Sequence, residues 1–326
     1  MYNGILNLYK EQGFTSFDAV AKLRGILHQK KIGHTGTLDP LAEGVLVMLL
    51  GSATKLSDIL TSDHKEYEAE MKLGCTSDTD DITGNIVYKT GCSEDDHNEA
   101  TAESEEESGR DTNAVVPTNE EIEAAVMSFV GSYDQLPPMY AAIKVDGKKL
   151  YEYAREGKSV ERTPRKVDIH EIKIMEINYP YVRFYVKCSK GTYIRSLCRD
   201  IGEKLGIGAL MSGLTRKEAG NFRIEESLKF SEIEELVKSG KIEEVIKPVD
   251  YFMQDLPKAT VFTEHEKYLL NGNKLSPDGL VFSDEAVKEA ALSGKMVRVY
   301  LTDEFRALYT YDEREGLFRP YKMFMA

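Results

Sequence analysis

Asp39 sits at the centre of the stretch Gly33-His34-Thr35-Gly36-Thr37-Leu38-Asp39-Pro40-Leu41-Ala42-Glu43-Gly44, with Leu38 before it and Pro40 and Leu41 after it. A carboxylate among apolar neighbours loses hydration at a cost unless a partner offsets it. Pro40 pushes Asp39 out of the helical region, and Gly33, Gly36 and Gly44 permit backbone angles and close approaches that a side chain forbids. The stretch therefore presents one acid on a rigid turn. A plain Asp-Pro turn is the simpler reading, but the constrained stretch is longer than a turn needs. A single acid so held suits covalent catalysis or proton abstraction on a substrate that brings its own leaving group.

Other chemistries fit less well. A glycosidase needs a second carboxylate facing the first, and none stands near Asp39 at an evident fixed spacing. The nearest approach to a phosphate-binding loop, Gly157-Lys158-Ser159, has Glu152 where the leading glycine belongs. No Gly-x-Gly-x-x-Gly follows a strand. The six histidines form no His-x-His or His-x-x-x-His pair, so no metal site is expected, and no cofactor. Cys75, Cys92, Cys188 and Cys198 are widely spaced without a Cys-x-x-Cys, which suits a reducing compartment.

The elements that must position Asp39 are legible from periodicity. Gly4 to Lys10 reads as a strand, Thr15 or Ser16 as a helix cap, and Phe17, Val20, Ala21, Leu23, Ile26 and Leu27 as the apolar face of a helix. Val45 to Leu50 is a continuous apolar run, the pattern of a strand buried on both faces, and Ala53 to Leu60 reads as a helix. From Lys65 the pattern alternates strictly, with Tyr67, Ala69, Met71 and Leu73 on the buried face. Thr118 and Glu121 form a capping box. Val167 to Ile177 and Tyr181 to Cys188 read as paired strands, followed by a helix from Ile194. Arg195 falls in the first turn of that helix, next to the positive end of its dipole, and a nearby anion would explain it. Leu210 to Ala219 reads as a further strand.

Charge is unevenly spread over the 326 residues. Between Cys92 and Asn113 nine acids stand against Arg110, a net −8 of the total −13, leaving −5 on the remainder. That segment is too polar to bury itself and reads as a solvated loop. By contrast, Lys148, Lys149, Arg155, Lys158, Arg162 and Arg165 interleave with Tyr140, Tyr151 and Tyr153. Cations mixed with aromatics suit tracking phosphates and stacking bases. No apolar run approaches a membrane span, and Met1 to Val20 has neither a basic start nor an apolar signal core, so a cytoplasmic protein without membrane contact is expected.

The motif around Asp39 resembles the catalytic motif of the bacterial TruB family of pseudouridine synthases, which modify uridine 55 in the T-loop of tRNA. Supporting motifs follow in family order: Lys10 to Ser16, Tyr67 in Lys-Glu-Tyr, Pro138 to Lys144 with Gly147, Lys190-Gly191-Thr192-Tyr193-Ile194-Arg195, and Gly213-Leu214-Thr215-Arg216. The resemblance implies an α+β pseudouridine synthase fold with a mixed, mainly antiparallel central sheet flanked by helices over residues 1–250. A small C-terminal β-barrel similar to the PUA RNA-binding domain would span 256–326. It implies Asp39 as the catalytic aspartate, Arg195 as its paired arginine and Tyr67 as the tyrosine stacking on the target base. His34 would contact the T-loop where the base has left it, Tyr193 and Leu214 would line the base pocket, and Lys144 would join the substrate-binding residues. The implied partner is the T-arm of tRNA, handled by a monomer through the segment 136–166. The alternative is an RNA-binding or tRNA-folding protein that uses the same surface without turnover.

Two features depart from the family pattern: Glu11 stands where proline is frequent, and the acidic segment about 91–114 is an insertion. A chain lacking Glu94 to Asp111 is therefore expected to keep its thermal midpoint within a few degrees and most of its turnover. Loss of folding on that deletion, read by circular dichroism, would refute the solvated-loop reading.

Overall fold

Two hydrophobic periods meet in one sheet. In the computed structural model, which describes residues 1–59, 64–89 and 116–325, the chain begins β1 (Gly4–Lys10), α1 (Ser16–Leu27), β2 (Ile32–His34), β3 (Glu43–Leu50) and β4 (His64–Leu73). A small hairpin, β5 (Cys75–Ser77) and β6 (Ile86–Tyr88), precedes α2 (Asn119–Met127) and β7 (Gly131–Gln135). A second hairpin, β8 (Lys144–Val145) and β9 (Lys148–Lys149), leads into α3 (Leu150–Arg155). The long strands β10 (Arg165–Asn178) and β11 (Tyr181–Ser189), helix α4 (Ile194–Lys204), strands β12 (Ala209–Ala219) and β13 (Phe222–Arg223), and α5 (Phe230–Lys238) complete this part. The acidic segment 91–114 and Leu60 lie outside the described residues.

The central sheet runs β1-β3-β12-β4-β11-β10-β7, with β2 on β3 and β13 on β12. Every pairing is antiparallel except β12 with β3, where Thr215 opposes Glu43 and Arg216 opposes Gly44. One face packs under α1, α2, α4 and α5 through Leu6, Leu8, Leu46, Met48, Met71 and Leu197. The other face of β1 and β3 presents Ile5, Val45, Val47 and Leu49 to a second cluster that includes Met253, Leu308 and Phe324. Residues 45–50 are apolar throughout because both faces of β3 are covered.

Local chemistry sets the edges. Thr15 caps α1 by accepting the Asp18 amide at 3.0 Å, while Asp18 accepts the Thr15 amide at 2.9 Å, and Thr118 and Glu121 repeat the device on α2. The buried stripe of α1 is Ala19, Val20, Leu23 and Leu27. Phe17 and Ala21, expected on that stripe, lie roughly 100° round the helix from it, and Phe17 is 70% exposed. The helix expected from Ala53 is a short 3-10 turn, Gly51–Leu56. Asp146 and Gly147 both take positive φ at the tip of the β8–β9 hairpin, the geometry of a type I′ turn.

The C-terminal part comprises β14 (Lys258–Val261), α6 (Glu266–Leu270), β15 (Leu280–Phe282), α7 (Glu285–Leu292), β16 (Met296–Leu301), β17 (Glu304–Asp312) and β18 (Leu317–Met323). Its five-stranded sheet is ordered β15-β14-β16-β17-β18 around a separate core of Val261, Leu275, Val297, Val299, Tyr309 and Phe318. Asp250 joins it to the preceding segment, since Arg298 Nη1 lies 2.9 Å from its carboxylate and the Tyr300 hydroxyl donates to the same oxygen. Phe324 stacks 5.1 Å from Phe305 and packs in the cluster shared with β1 and β3. Phe324→Ala is expected to cost about 3 kcal/mol, the usual scale for a buried aromatic, in urea unfolding. An unchanged midpoint would place the docking of the two sheets elsewhere.

Candidate active site

Asp39 lies on the segment between β2 and β3, and the carbonyls of that segment are taken almost one after another. Arg216 donates from Nη2 to Gly36 O at 3.2 Å and from Nη1 to Thr37 O at 3.4 Å. The Ser16 hydroxyl donates to Leu38 O at 3.0 Å and accepts the Leu38 amide at 2.8 Å. Gly13 N donates to Pro40 O at 2.9 Å, Lys10 Nζ to Ala42 O at 2.6 Å, and Ala42 N to Asp39 O at 3.1 Å. The stretch Lys10 to Ser16 is thus one side of a clamp on the Asp39 loop. Gly36 takes φ +86° and Gly44 φ +98°, and a Cβ on Gly44 would stand 2.4 Å from Arg216 O. Gly33 makes no such demand, because a Cβ there would meet Thr54 at an ordinary 3.7 Å.

Arg195 supplies the counter-charge. Its Nη2 donates to Asp39 Oδ1 at 3.1 Å and its Nε stands 2.9 Å from Oδ2. Two further donations, to Thr79 O and Tyr140 O at 3.0 Å each, fix the guanidinium. Arg195 is 5% exposed, whereas the Asp39 side chain keeps a third of its surface, so the carboxylate is the open end of the pair. The cation in the first turn of α4 is explained by this anion. A second acid, Asp81, stands 3.6 Å from Arg195 Nη1 and is held by the Thr83 amide and the Thr79 hydroxyl at 2.9 Å each. One helical turn on, Arg199 takes Asp80 at 2.9 Å.

Asp81 is thus a second acid at the pair, reached through Arg195 and too far from Asp39 in sequence for any fixed spacing to mark it. An arginine this close ordinarily lowers a carboxylate pKa, yet burial lifts the Asp39 carboxyl above its ordinary value. Arg195 opposes that lift, Asp81 adds to it, and Lys10 opposes it more weakly. Desolvation outweighs the pair because the loop's own Leu38, Leu41 and Ala42 pack into the core and draw Asp39 down with them. Lys10 itself is fully buried, and burial lowers its pKa to about 8 against the pull of Asp39.

The remaining expected residues divide. Tyr67 on β4 is buried, its phenol pushed up to about 12 by burial while Arg216, a hydrogen-bond partner, pulls it down. Leu214 opposes Ala69, two residues along β4 on the Tyr67 face. Tyr193 caps α4 with its backbone tied to Gln135 at 2.8 and 3.0 Å, and both Asp39 and Arg195 act on its phenol. His34 on β2 is half-buried with Nδ1 unpartnered, and burial, then Arg216, lowers its pKa, so it is neutral near pH 7. Lys144 is the exception: it opens the β8 hairpin, exposed, and no hydrogen bond or ion pair joins it to the Asp39 group among the described residues. In the stretch 148–155 the cations lie over rings, Lys148 on Tyr153 at 4.9 Å, and Lys149 and Arg155 on Tyr151 at 5.3 Å each. Away from this group His64, Glu66 and Glu218 place ligand atoms within 4.8 Å of one another. Lys187 and Arg223 already pair with the two carboxylates at 3.0 and 3.2 Å.

Residues 24–109 and 94–194 match the N-terminal domain of TruB family pseudouridylate synthases, and residues 195–254 match the C-terminal domain of tRNA pseudouridylate synthase B. The chain belongs to the TruB family. It is 46% identical to tRNA pseudouridine synthase B of Lachnoclostridium phytofermentans, over 99% of this chain and 100% of that protein. The corresponding protein of Alkaliphilus oremlandii is 43% identical, over 93% and 91%. The pseudouridine synthase fold is shared with the solved Cbf5-Nop10-Gar1 complex, at TM-score 0.65 and 26% identity over 99% of this chain and 85% of that one. An H/ACA RNP bound to a substrate RNA containing 2′-deoxyuridine gives 0.64 and 25% over the same shares. The two TruB segments meet between Ile194 and Arg195, so Asp39 and Arg195 come from different segments of the family pattern.

To act as a base or nucleophile Asp39 must be ionised, so a rate that depends on it falls as pH drops through its raised pKa. Arg195→Met removes the group opposing that rise and is expected to move the acidic limb of the pH–rate profile upward, besides slowing turnover by ~10²-fold or more. A limb at the parent's pH would remove Arg195 from control of this carboxylate.

Proposed function

We propose that this chain converts uridine 55 in the T-loop of tRNA to pseudouridine, with Asp39 as the catalytic group. The observation that carries the reading is the Asp39–Arg195 pair, exposed only on its carboxylate side, in a TruB chain whose full-length relatives are named tRNA pseudouridine synthase B. A uridine inside a folded T-loop is stacked, so it must be flipped out at a cost of a few kcal/mol. Tyr67 and Leu214 replace the lost stacking, Tyr193 closes the pocket, and His34 meets the loop where the base has left.

The reaction breaks N1–C1′ and forms C5–C1′, with the C5 proton passing to solvent and N1 regaining one, so it is an isomerisation with no net redox change. Asp39 assists cleavage by attacking C1′ or C6 or by taking a sugar proton, and all three routes need it ionised. The apolar walls keep water from the detached uracil. The segment 136–166 meets the T-arm with its cations and tyrosines, including Lys144. Residues 256–326 act as a PUA-like, barrel-type RNA-binding unit beside a catalytic unit of residues 1–250. The protein works as a cytoplasmic monomer with no obligate protein partner.

Tritium release from C5-labelled tRNA tests this reading against one of RNA binding or folding alone. Asp39→Asn is expected to abolish release while leaving tRNA affinity within about threefold, and unimpaired release would sink the assignment.

A further inference from the structure

Among the described residues Arg216 is the largest side chain with no exposure, yet no ion pair reaches it. Buried arginines ordinarily face an acid. Here the guanidinium is spent on carbonyls instead: Val45 O at 2.7 Å, Gly36 O at 3.2 Å and Thr37 O at 3.4 Å, and its charge also acts on the Tyr67 phenol. The backbone repeats the arrangement. Arg216 opposes Gly44 in the parallel pairing with β3 and Tyr67 in the antiparallel pairing with β4.

One residue therefore touches the start of the Asp39 loop with its side chain, the end of that loop with its backbone, and Tyr67 with both. Gly44 is glycine because Arg216 passes there, its carbonyl oxygen 2.4 Å from where a Cβ would sit. A guanidinium can span several carbonyls in one plane, which an ammonium cannot.

We propose that Arg216 is a positioning residue for the isomerisation, clasping both ends of the Asp39 loop to the strand that carries Tyr67 and so fixing the distance between the two across the flipped base. The clasp rests on the isomerase reading above and adds a residue to it. It acts at a distance from the RNA, so its loss shows in the chemical step and leaves tRNA binding in place.

The test is single-turnover tritium release from C5-labelled tRNA with the full chain, for the parent, Arg216→Lys and Gly44→Ala, alongside tRNA Kd, thermal midpoint and amide hydrogen exchange. Arg216→Lys keeps the charge and loses the span, and Gly44→Ala forces the loop end away from Arg216 O. Both are expected to slow release by about 100-fold or more, the scale of a 1 Å misplacement. Kd should stay within about threefold, the midpoint within a few degrees, and the Leu38 and Ala42 amides should exchange faster. Release within threefold of the parent by a folded Arg216→Lys would overturn the proposal, as would a rate loss matched by equal losses of affinity and stability. Failure of both variants to fold would assign Arg216 to the fold alone and overturn it too. A parent that releases no tritium would instead overturn the isomerase reading.

Discussion

A carboxylate drawn out of water has to be held, and Asp39 is held by an arginine 156 residues further along the chain. Each partner is badly placed alone. Asp39 sits among Leu38, Leu41 and Ala42, and Arg195 begins a helix whose dipole repels it. Together they neutralise one another, and the remaining donors of Arg195 reach Thr79 O and Tyr140 O. The pair therefore orders three separate stretches: the Asp39 loop, the turn between β5 and β6, and the loop before β8. Breaking it would leave a buried charge on one side and unbound carbonyls on the other, which is costlier than losing both partners at once.

Rigidity on the other side of Asp39 comes from backbone carbonyls. Lys10, Gly13, Ser16 and Arg216 each accept the burden of one or two of them, so the loop has little freedom left to lose when substrate arrives. Preorganisation of this kind moves the ordering cost from the reaction to folding. The topology makes it feasible: the one parallel pairing of the large sheet sets Arg216 against Gly44, while the antiparallel pairing on its other side sets it against Tyr67.

Much of this was legible from residue types. The alternation from Lys65 put Tyr67 on the buried face, the continuous run 45–50 predicted a strand covered twice, and a cation in a helix's first turn asked for an anion that the structure supplies. Other features leave no trace in spacing. Lys10 and Arg216 bind carbonyl oxygens, which every residue possesses, so nothing in the sequence marks the acceptors. Asp81 lies in a polar turn that reads as surface until Arg195 is seen beside it. The direction of the Asp39 shift is a contest between burial and an ion pair, and only the packed loop shows that burial wins. Phe17 and Ala21 failed for a simpler reason: apolar spacing places a residue near a helical stripe, while the turn of α1 decides on which side of its edge each one falls.

Net charge is the least informative property of this chain and local charge among the most. A total of −13 opposes a polyanion, yet a net eight of those charges fall between Cys92 and Asn113. Around the Asp39 loop several cations gather. Lys10, Arg195 and Arg216 are buried cations, and Lys65 stands so close that a Cβ on Gly36 would lie 3.6 Å from its Cε and 3.8 Å from Arg216 Nη1. Arg195 pairs with Asp39 and Asp81, and Lys10 faces Asp39 and Glu43. The total charge therefore says little about the surroundings of Asp39, where the buried cations Lys10 and Arg216 serve the loop's carbonyls.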